Sequence, residues 1–443
     1  MRYNLMFCAI YSIGLAFGLS ACTSAPDLTT VEMSFASESP VAAVVSGSVA
    51  KSAFGKRVRE AVQNSPTLAQ SDTRMDIARA EKDAAQGAFL PQVSLGLNAR
   101  SERINSDIAD VSPYLRVSQL VYDGGAARGD LTAARARVLE SRGDQIQTAA
   151  STALAAVETY VLVLNHRDIL EISSQNVEVH EEIEGQISDR VAGGLGSNAD
   201  VLTARSRSAD ARTRHADARA RLDKAEARFR EVFGAAPGPL PPPIAAPELT
   251  LSSTQIIKDS PQIRRADANL IAAKAELAAA QARRQPDLRL AAFANQDDRK
   301  GANFGVDLSF NYEIDSTGQR RATIAAAEAR VRDSEANRDA LIREIGRELD
   351  FIRSDQKAGA ERLRDAQAAV RANSDSVAAT RAQFTIGRRN LIEILDAQRD
   401  YVNAQERLIL AEQNFFLTNY AALSLTGDIL NLFGITLTQW DSL

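Results

Sequence analysis

The sequence contains few of the side chains on which enzymes and metalloproteins commonly depend. Its 443 residues include two cysteines and three histidines. Two cysteines, Cys8 and Cys22, cannot form a disulfide framework or a cysteine-based zinc site. The histidines, His166, His180 and His215, lack the spacing typical of metal ligands and are expected to be solvated positions on helices. We therefore expect no metal and no cofactor.

Strong net charge and long apolar runs are also missing. The 52 Lys+Arg and 57 Asp+Glu residues give a formal net charge of −5, which provides no electrostatic reason to expect a nucleic-acid partner. Beyond the N-terminus no run approaches the roughly 18 apolar residues of a membrane-spanning helix, which excludes a helical membrane bundle. A β-barrel is not excluded, because the alternating residues of its strands give only a weak hydropathy signal. No G-x-S-x-G motif and no phosphate loop ending in GK[ST] occurs, so the chain is not expected to be an enzyme.

The first residues have the pattern of a bacterial export signal. Arg2 precedes the apolar stretch Leu5–Leu19, which is too short to span a membrane and predicts a signal peptide over residues 1–21. The stretch ends in Leu-Ser-Ala-Cys, which resembles the lipobox of bacterial lipoproteins. Lipidation is therefore predicted at Cys22, and Thr23 after it favours the outer membrane over the inner one. An ordinary signal peptide with an incidental cysteine is the alternative.

Comparison of the chain with itself reveals an internal duplication of nearly 200 residues. The matched positions are Ser65-Pro66 with Ser260-Pro261 and Pro91 with Pro286 at an offset of 195, then Gly125 with Gly318, Gly194 with Gly387 and Gly234 with Gly427 at an offset of 193. Chance similarity between alanine-rich helices would not reproduce the positions of prolines and glycines. The chain is therefore predicted to contain two equivalent repeats.

The duplication and the local composition divide the chain into segments. Residues 22–50, rich in Ser, Thr, Ala and Pro, are expected to be a flexible, lipidated tether. Residues 51–236 form the first repeat and residues 251–435 the second. A proline-rich linker over 237–250 separates the repeats, and residues 436–443 are a C-terminal tail.

The positions of the prolines show where long helices can form. All 13 prolines lie at or before Pro286, and none lies between Pro113 and Pro237. Because a helix interior tolerates proline poorly, these windows, rich in Ala, Leu, Arg, Glu and Gln, predict one long helix over Ala126–Arg190 and another over Gln319–Phe384. Each would be on the order of 100 Å long and must pack laterally on other helices.

Each repeat also contains two candidate strands with alternating apolar residues. The four candidates are Val93–Ala99, Tyr114–Tyr122, Leu288–Gln296 and Phe304–Tyr312. Each has about 10 residues, which is the length of a tilted strand that crosses a membrane. A soluble β-hairpin on each repeat is the alternative, because alternation does not distinguish lipid from a protein core. Four strands cannot close a barrel, so a membrane location would require several chains to share one.

The order of these elements and two motifs resemble the TolC-like outer-membrane factor family. The motifs are Leu120–Gly125 (LVYDGG) and Phe384–Gln398, whose first-repeat counterpart is Val191–Leu202. The resemblance implies a mainly α chain with four strands, and a homotrimer with one shared outer-membrane barrel and a helical tunnel across the periplasm. It also implies a passive exit duct, with a periplasmic adaptor protein and an inner-membrane ABC or RND-type pump as partners.

The resemblance assigns a gate to the periplasmic end of the tunnel. By position, Glu393 and Asp396 match the acidic residues of the constriction, where three copies of two carboxylates would attract cations and raise each other's pKa. Arg389 and Asp200 match a latch between helical hairpins. Phe384 stands where the best-known members have a latch tyrosine, so the closed state is expected to be held differently. Solvated charges on helix surfaces are the alternative.

The glycines at the two hairpin turns have a simpler explanation. Gly194 and Gly387 are expected to be helix C-caps, because glycine readily adopts the left-handed conformation that ends a helix.

Two other functional classes share some of these features. A periplasmic adaptor also has long alanine-rich hairpins, but it should carry a lipoyl-like β-domain split around one hairpin. A structural coiled-coil lipoprotein would leave the strands and the duplication unexplained. The Tyr-Asp-Gly-Gly motif resembles protein-secretion members, while a lipobox is commoner among multidrug members, and we favour protein export.

Overall fold

The protein forms a set of very long antiparallel helices with one small sheet. The computed structural model describes residues 25–36, 48–100, 110–248, 252–297 and 301–437. The predicted signal peptide and Cys22 lie outside these ranges. The helices are α1 (Thr29–Ala36), α2 (Ser48–Lys51), α3 (Ala53–Gln63), α4 (Pro66–Gly87), α5 (Ala126–Ala192), α6 (Asn198–Phe233), α7 (Ser253–Asp259), α8 (Pro261–Ala282), α9 (Gln319–Thr385), α10 (Leu391–Thr426) and α11 (Asp428–Phe433). The strands are β1 (Gln92–Arg100), β2 (Asp110–Tyr122), β3 (Asp287–Asp297) and β4 (Gly301–Asn311).

The two long helices predicted from proline placement are confirmed almost to the residue. Helices α5 and α9 each contain 67 residues, which corresponds to about 100 Å. Helix α5 begins where it does because the Asp123 carboxylate accepts hydrogen bonds from the main-chain nitrogens of Gly125 (2.9 Å) and Ala127 (2.6 Å). This contact explains the aspartate of the LVYDGG motif as a cap for free N–H groups at the helix start.

The four predicted strands are also confirmed, and they form a single antiparallel sheet in the order β1-β2-β3-β4. The pairing of β2 with β3 joins the two repeats. Strand β2 extends further than predicted, since it includes Pro113. Proline is tolerated there because the pairing of β2 with β3 begins only at Tyr114. The missing N–H of Pro113 therefore removes no hydrogen bond to β3.

One face of this sheet is apolar and the other is polar. Two complete rows across the four strands, Val93-Val117-Ala292-Val306 and Leu95-Leu115-Ala294-Phe304, consist only of apolar residues. On the edge strands, Leu95 and Phe304 expose 81% and 76% of their surface. The opposite face carries an ion pair between Arg116 and Asp307 at 3.5 Å. An exposed apolar surface of this extent requires an apolar partner or lipid.

The largest core lies beside the linker between the repeats. Its aromatic residues are Phe54, Tyr160, Phe229, Tyr420 and Phe433. The hydroxyls of Tyr160 and Tyr420 donate hydrogen bonds to the main-chain oxygens of Pro241 (2.6 Å) and Ile244. The proline-rich segment therefore has no regular structure over 237–248, but it is bound to the helices.

An apolar stretch of α5 also belongs to this core. In the part of the chain that the structure describes, α5 contains a window long and apolar enough to cross a membrane, and half of that window is buried within the protein. The buried residues Ala149, Ala153, Val157 and Val161 belong to the core. Protein packing therefore accounts for the apolar character of this stretch.

The predicted flexible tether contains an ordered part. Leu28 and Val31 are buried against Ala136 and Leu139 of α5 and alanines of α8. Arg264 donates a hydrogen bond to the main-chain oxygen of Ser34 at 3.0 Å. Residues 25–36 are therefore packed on the bundle, and residues 48–50 lie in α2, so the expectation of flexibility is wrong for both.

Candidate functional site

The long helices end far from the sheet, at two turns. One turn joins α5 to α6 in the first helical hairpin, and the other joins α9 to α10 in the second. We call this region the hairpin end. Because α5 and α9 follow directly from the strands, the hairpin end lies about 100 Å from the sheet. A small apolar core joins all four helices here. It consists of Ile183, Ile187, Ala204, Phe384, Leu391, Ile394 and Leu395.

Both turns have the same geometry, as the duplication predicts. Gly194 and Gly387 have φ angles of +78° and +77°, which favour glycine. At the first turn, Leu195 N donates to Arg190 O at 2.8 Å and Gly194 N donates to Val191 O at 3.0 Å. The second turn has the equivalent pair of bonds. This is the Schellman motif, in which glycine ends a helix and the last carbonyl groups find donors.

The helices that return from these turns begin with equivalent capping boxes. Asp200 accepts a hydrogen bond from the main-chain nitrogen of Ser197 (3.3 Å), and Glu393 accepts one from that of Asn390 (3.4 Å). Asp200 and Glu393 therefore occupy the same position in the two repeats. Both carboxylates satisfy free N–H groups at a helix start, which is a structural role that the sequence analysis did not assign to them.

Each of the two proposed gate carboxylates has an arginine partner within its own hairpin. Glu393 forms an ion pair with Arg389 four residues earlier, and Asp396 forms one with Arg399 at 3.0 Å. The hydrogen bond from Arg389 lowers the pKa of Glu393, and the hydrogen bond from Asn390 adds to the effect. Within one chain the pKa of Glu393 is therefore lowered, whereas crowding of carboxylates at a trimeric constriction was expected to raise it.

The predicted latch residues do not meet within the chain. Arg389 binds Glu393 and also donates to Gln383 at 2.9 Å. Asp200 is engaged in its capping box. Among the described residues, Arg389 and Asp200 form no ion pair with each other, so a contact between them would have to join different chains.

Another arginine, absent from the sequence-based prediction, connects the two hairpins. Arg190 donates hydrogen bonds to the main-chain oxygens of Phe384 (2.9 Å) and Thr385 (3.0 Å). Its guanidinium carbon lies 4.7 Å from the centroid of the Phe384 ring, which is only 2% exposed. A second link between α5 and α9 is the ion pair of Arg381 with Glu182. The only sequence signal was a basic residue in the last turn of a helix, where free carbonyl groups attract cations.

A polar cavity of about 30 Å³ lies next to the small core, between α5, α6 and α10. Its lining residues include Asn176, His180, Arg207, Asp210, Arg214, Leu395, Asp396 and Arg399. His180 is only 7% exposed, so the expectation of a solvated histidine is wrong for this residue. Burial lowers the pKa of His180, and the nearby Arg207 and Arg214 lower it further.

The comparisons with known proteins agree with this architecture. Residues 58–235 and 253–426 match the family described as Outer membrane efflux protein. Outer membrane efflux protein BepC of Brucella suis biovar 1 (strain 1330) is 25% identical over 388 residues, which cover 83% of this chain and 84% of BepC. Outer membrane protein TolC of Vibrio cholerae serotype O1 is 22% identical over 382 residues, which cover 81% of this chain and 87% of TolC. The crystal structure of the Campylobacter jejuni CmeC outer membrane channel has a TM-score of 0.77 at 15% identity, over 84% of this chain and 85% of CmeC.

The family match covers both repeats and is interrupted between residues 235 and 253, where the proline-rich linker lies. The structural neighbour shares the fold over most of its own length. Together these findings confirm the resemblance that the repeated motifs indicated. The chain belongs to the outer membrane efflux protein family and is a TolC-like outer-membrane factor.

Proposed function

We propose that this chain is the passive outer-membrane duct of a tripartite export system and has no catalytic activity. The two-faced sheet is the observation that carries the proposal. An apolar face on a transmembrane barrel contacts lipid, while the polar face lines an aqueous interior. The long helices would continue that interior away from the membrane.

The strand arrangement supports a homotrimer. The described sheet begins with β1 and ends with β4, and each of these strands has a neighbour on one side only. Unpaired backbone groups in lipid cost several kcal/mol each, so both edges require partners. Pairing β4 of one chain with β1 of the next would close a barrel, and three chains would supply twelve strands, above the practical minimum of about eight.

The position of α1 supports lipid anchoring at Cys22. Val31 of α1 packs in one apolar cluster with Ala136 of α5. Ala136 lies ten residues after the start of α5, which corresponds to about 15 Å from the end of the helix beside the sheet. The six residues from Cys22 to Leu28 can span at most ~20 Å. This length would be sufficient for a lipid on Cys22 to reach a membrane around the proposed barrel, and α1 would hold the anchored segment on the helices.

We place the gate at the hairpin end. Arg190 and the ion pair of Arg381 with Glu182 would hold the two hairpins of each chain together. Arg389 and Asp200 would act between neighbouring chains, and Glu393 and Asp396 would set the cation preference of the constriction. Energy would come from an inner-membrane ABC or RND-type pump through a periplasmic adaptor.

Cell fractionation tests the duct most directly. We expect the protein in the outer-membrane fraction as a trimer whose gel mobility changes on heating. A monomer in the periplasmic fraction would contradict the proposal and would favour an adaptor or a structural lipoprotein.

A deletion strain identifies the cargo. Efflux of small molecules predicts increased drug susceptibility in this strain. Protein export, which the Tyr-Asp-Gly-Gly motif favours, predicts proteins missing from the culture medium. A strain with unchanged susceptibility and unchanged secreted proteins would contradict an export role.

A further inference from the structure

We propose that protonation of His180 loosens the packing of α5 against α6 and α10 and thereby favours opening of the gate in acidic medium. The inference rests on the proposed duct function. In this scheme His180 is a positioning residue, because it acts through the contact between helices and does not touch the transported molecule.

The imidazole of His180 faces charged groups from α6 and α10, and each carboxylate among them already pairs with an arginine. From α6, Arg207 and Asp210 lie in the same cavity and pair with each other at 3.9 Å. From α10, Asp396 and Arg399 face the cavity and pair at 3.0 Å. Arg214 of α6 completes the charged lining, and Asn176 is the polar neighbour on α5 itself. Both carboxylates are therefore engaged by arginines.

Within the described part of the chain, the Nδ1 atom of His180 has no hydrogen-bond partner and is shielded from solvent. A neutral imidazole fits this environment. An imidazolium would be a buried charge beside three guanidinium groups, which is unfavourable unless the cavity opens to water or a carboxylate leaves its arginine.

The sign of the pH effect follows from this arrangement. Burial first, and then Arg207 and Arg214, lower the pKa of His180 in this packed arrangement, while Asp210 opposes them. In the proposal, this arrangement is the closed state. A state that exposes the ring returns the pKa towards the ordinary value of about 6.5. Neutral His180 therefore favours the closed state fully above pH ~6.5. This preference is lost as the pH falls through the lowered pKa of His180.

The cavity is connected to the gate through α10. Leu395 lines the cavity and also belongs to the small core at the hairpin end. One turn from His180 along α5, Asn176 accepts a hydrogen bond from Gln398 of α10 at 3.4 Å. A displacement at His180 therefore acts on one of the contacts between the first and the second hairpin.

Conductance of the purified trimer in planar bilayers tests the inference. We would compare wild type, His180→Gln and His166→Gln at pH ~7.5 and ~5.5. His166 is a matched control, since it lies on the same helix about 21 Å away and its pKa is also lowered by burial. Glu393 stays ionised in this range because Arg389 lowers its pKa.

We expect acidification to raise the open probability of wild type and of His166→Gln at least about threefold, because the open state takes up protons that the closed packing around His180 excludes. The His180→Gln trimer should show less than about a twofold change. An equal response in His180→Gln, or no response in wild type, would overturn the inference and leave the duct function intact. A wild-type trimer that never conducts would overturn both.

An NMR titration of the wild-type trimer provides a second measurement if His180→Gln does not assemble. The chain has only three histidines, and the His166→Gln and His215→Gln variants assign their signals. A His180 pKa below the ordinary value of about 6.5 supports the inference, and a value at or above it contradicts the inference.

Discussion

Arg190 at the end of the first hairpin binds Phe384 at the end of the second, both through the main-chain oxygen at 2.9 Å and through the face of the aromatic ring. Phe384, at the position where the resemblance implied a latch tyrosine, therefore takes part in a contact between hairpins. Its ring attracts the guanidinium, and its carbonyl group accepts a hydrogen bond.

Replacement of Arg190 should open the gate. A charge-assisted hydrogen bond contributes about 2 kcal/mol, so Arg190→Ala should shift the closed-to-open equilibrium by roughly thirtyfold, and single-channel recording in bilayers would measure the change. Arg388→Ala is the matched control, because this exposed arginine lies at the neighbouring turn. Equal open probabilities for the Arg190 and Arg388 variants would show that Arg190 does not hold the gate.

The carboxylates of the second hairpin should set ion selectivity. Combined replacement of Glu393 and Asp396 by alanine should reduce the cation preference, because six negative charges would be removed from a trimeric constriction. The reversal potential in a salt gradient measures the preference. Glu406→Ala, on the same helix but away from the hairpin end, should leave the reversal potential unchanged. Unchanged selectivity in the double variant would exclude a role at the constriction.

The pH dependence of selectivity should report on Arg389. Since Arg389 lowers the pKa of Glu393, the glutamate keeps its charge below its ordinary pKa of 4.5 and loses it only as the pH falls through the lowered value. In an Asp396→Asn background, cation preference should therefore persist at pH ~4.5. Addition of Arg389→Ala should make the preference decline at a higher pH. Coincident pH profiles with and without Arg389 would contradict this coupling.

Neighbouring residues of β4 provide a sharp test of the membrane location. Leu308 lies on the apolar face and Ser309 on the polar face. An arginine on the lipid side costs ~2–4 kcal/mol near the bilayer centre, so Leu308→Arg should reduce the yield of outer-membrane trimers, while Ser309→Arg should assemble normally. Immunoblots of unheated outer-membrane samples measure the yield. Normal assembly of both variants would argue that the apolar face does not contact lipid.

Local signals in the sequence were sufficient to predict the two long helices and the four strands, with differences of a few residues at some of their ends. Prolines exclude helix interiors, glycines with positive φ end helices, and period-two alternation marks strands, so Gly194, Gly387 and the four strands could be recognised in advance. Each of these rules concerns residues that are close in the chain. The duplication could also be recognised in the sequence, because the prolines and glycines that end the elements recur at matched positions.

Contacts between distant parts of the chain could not be obtained in this way. The pairing of β2 with β3 joins residues about 180 positions apart, and Arg190 and Phe384 are separated by 194. Periodicity shows which side of an element is apolar, but it does not show which element will cover it. The burial of His180 and the docking of α1 on the helices therefore became evident only once the helices were seen side by side in the folded chain.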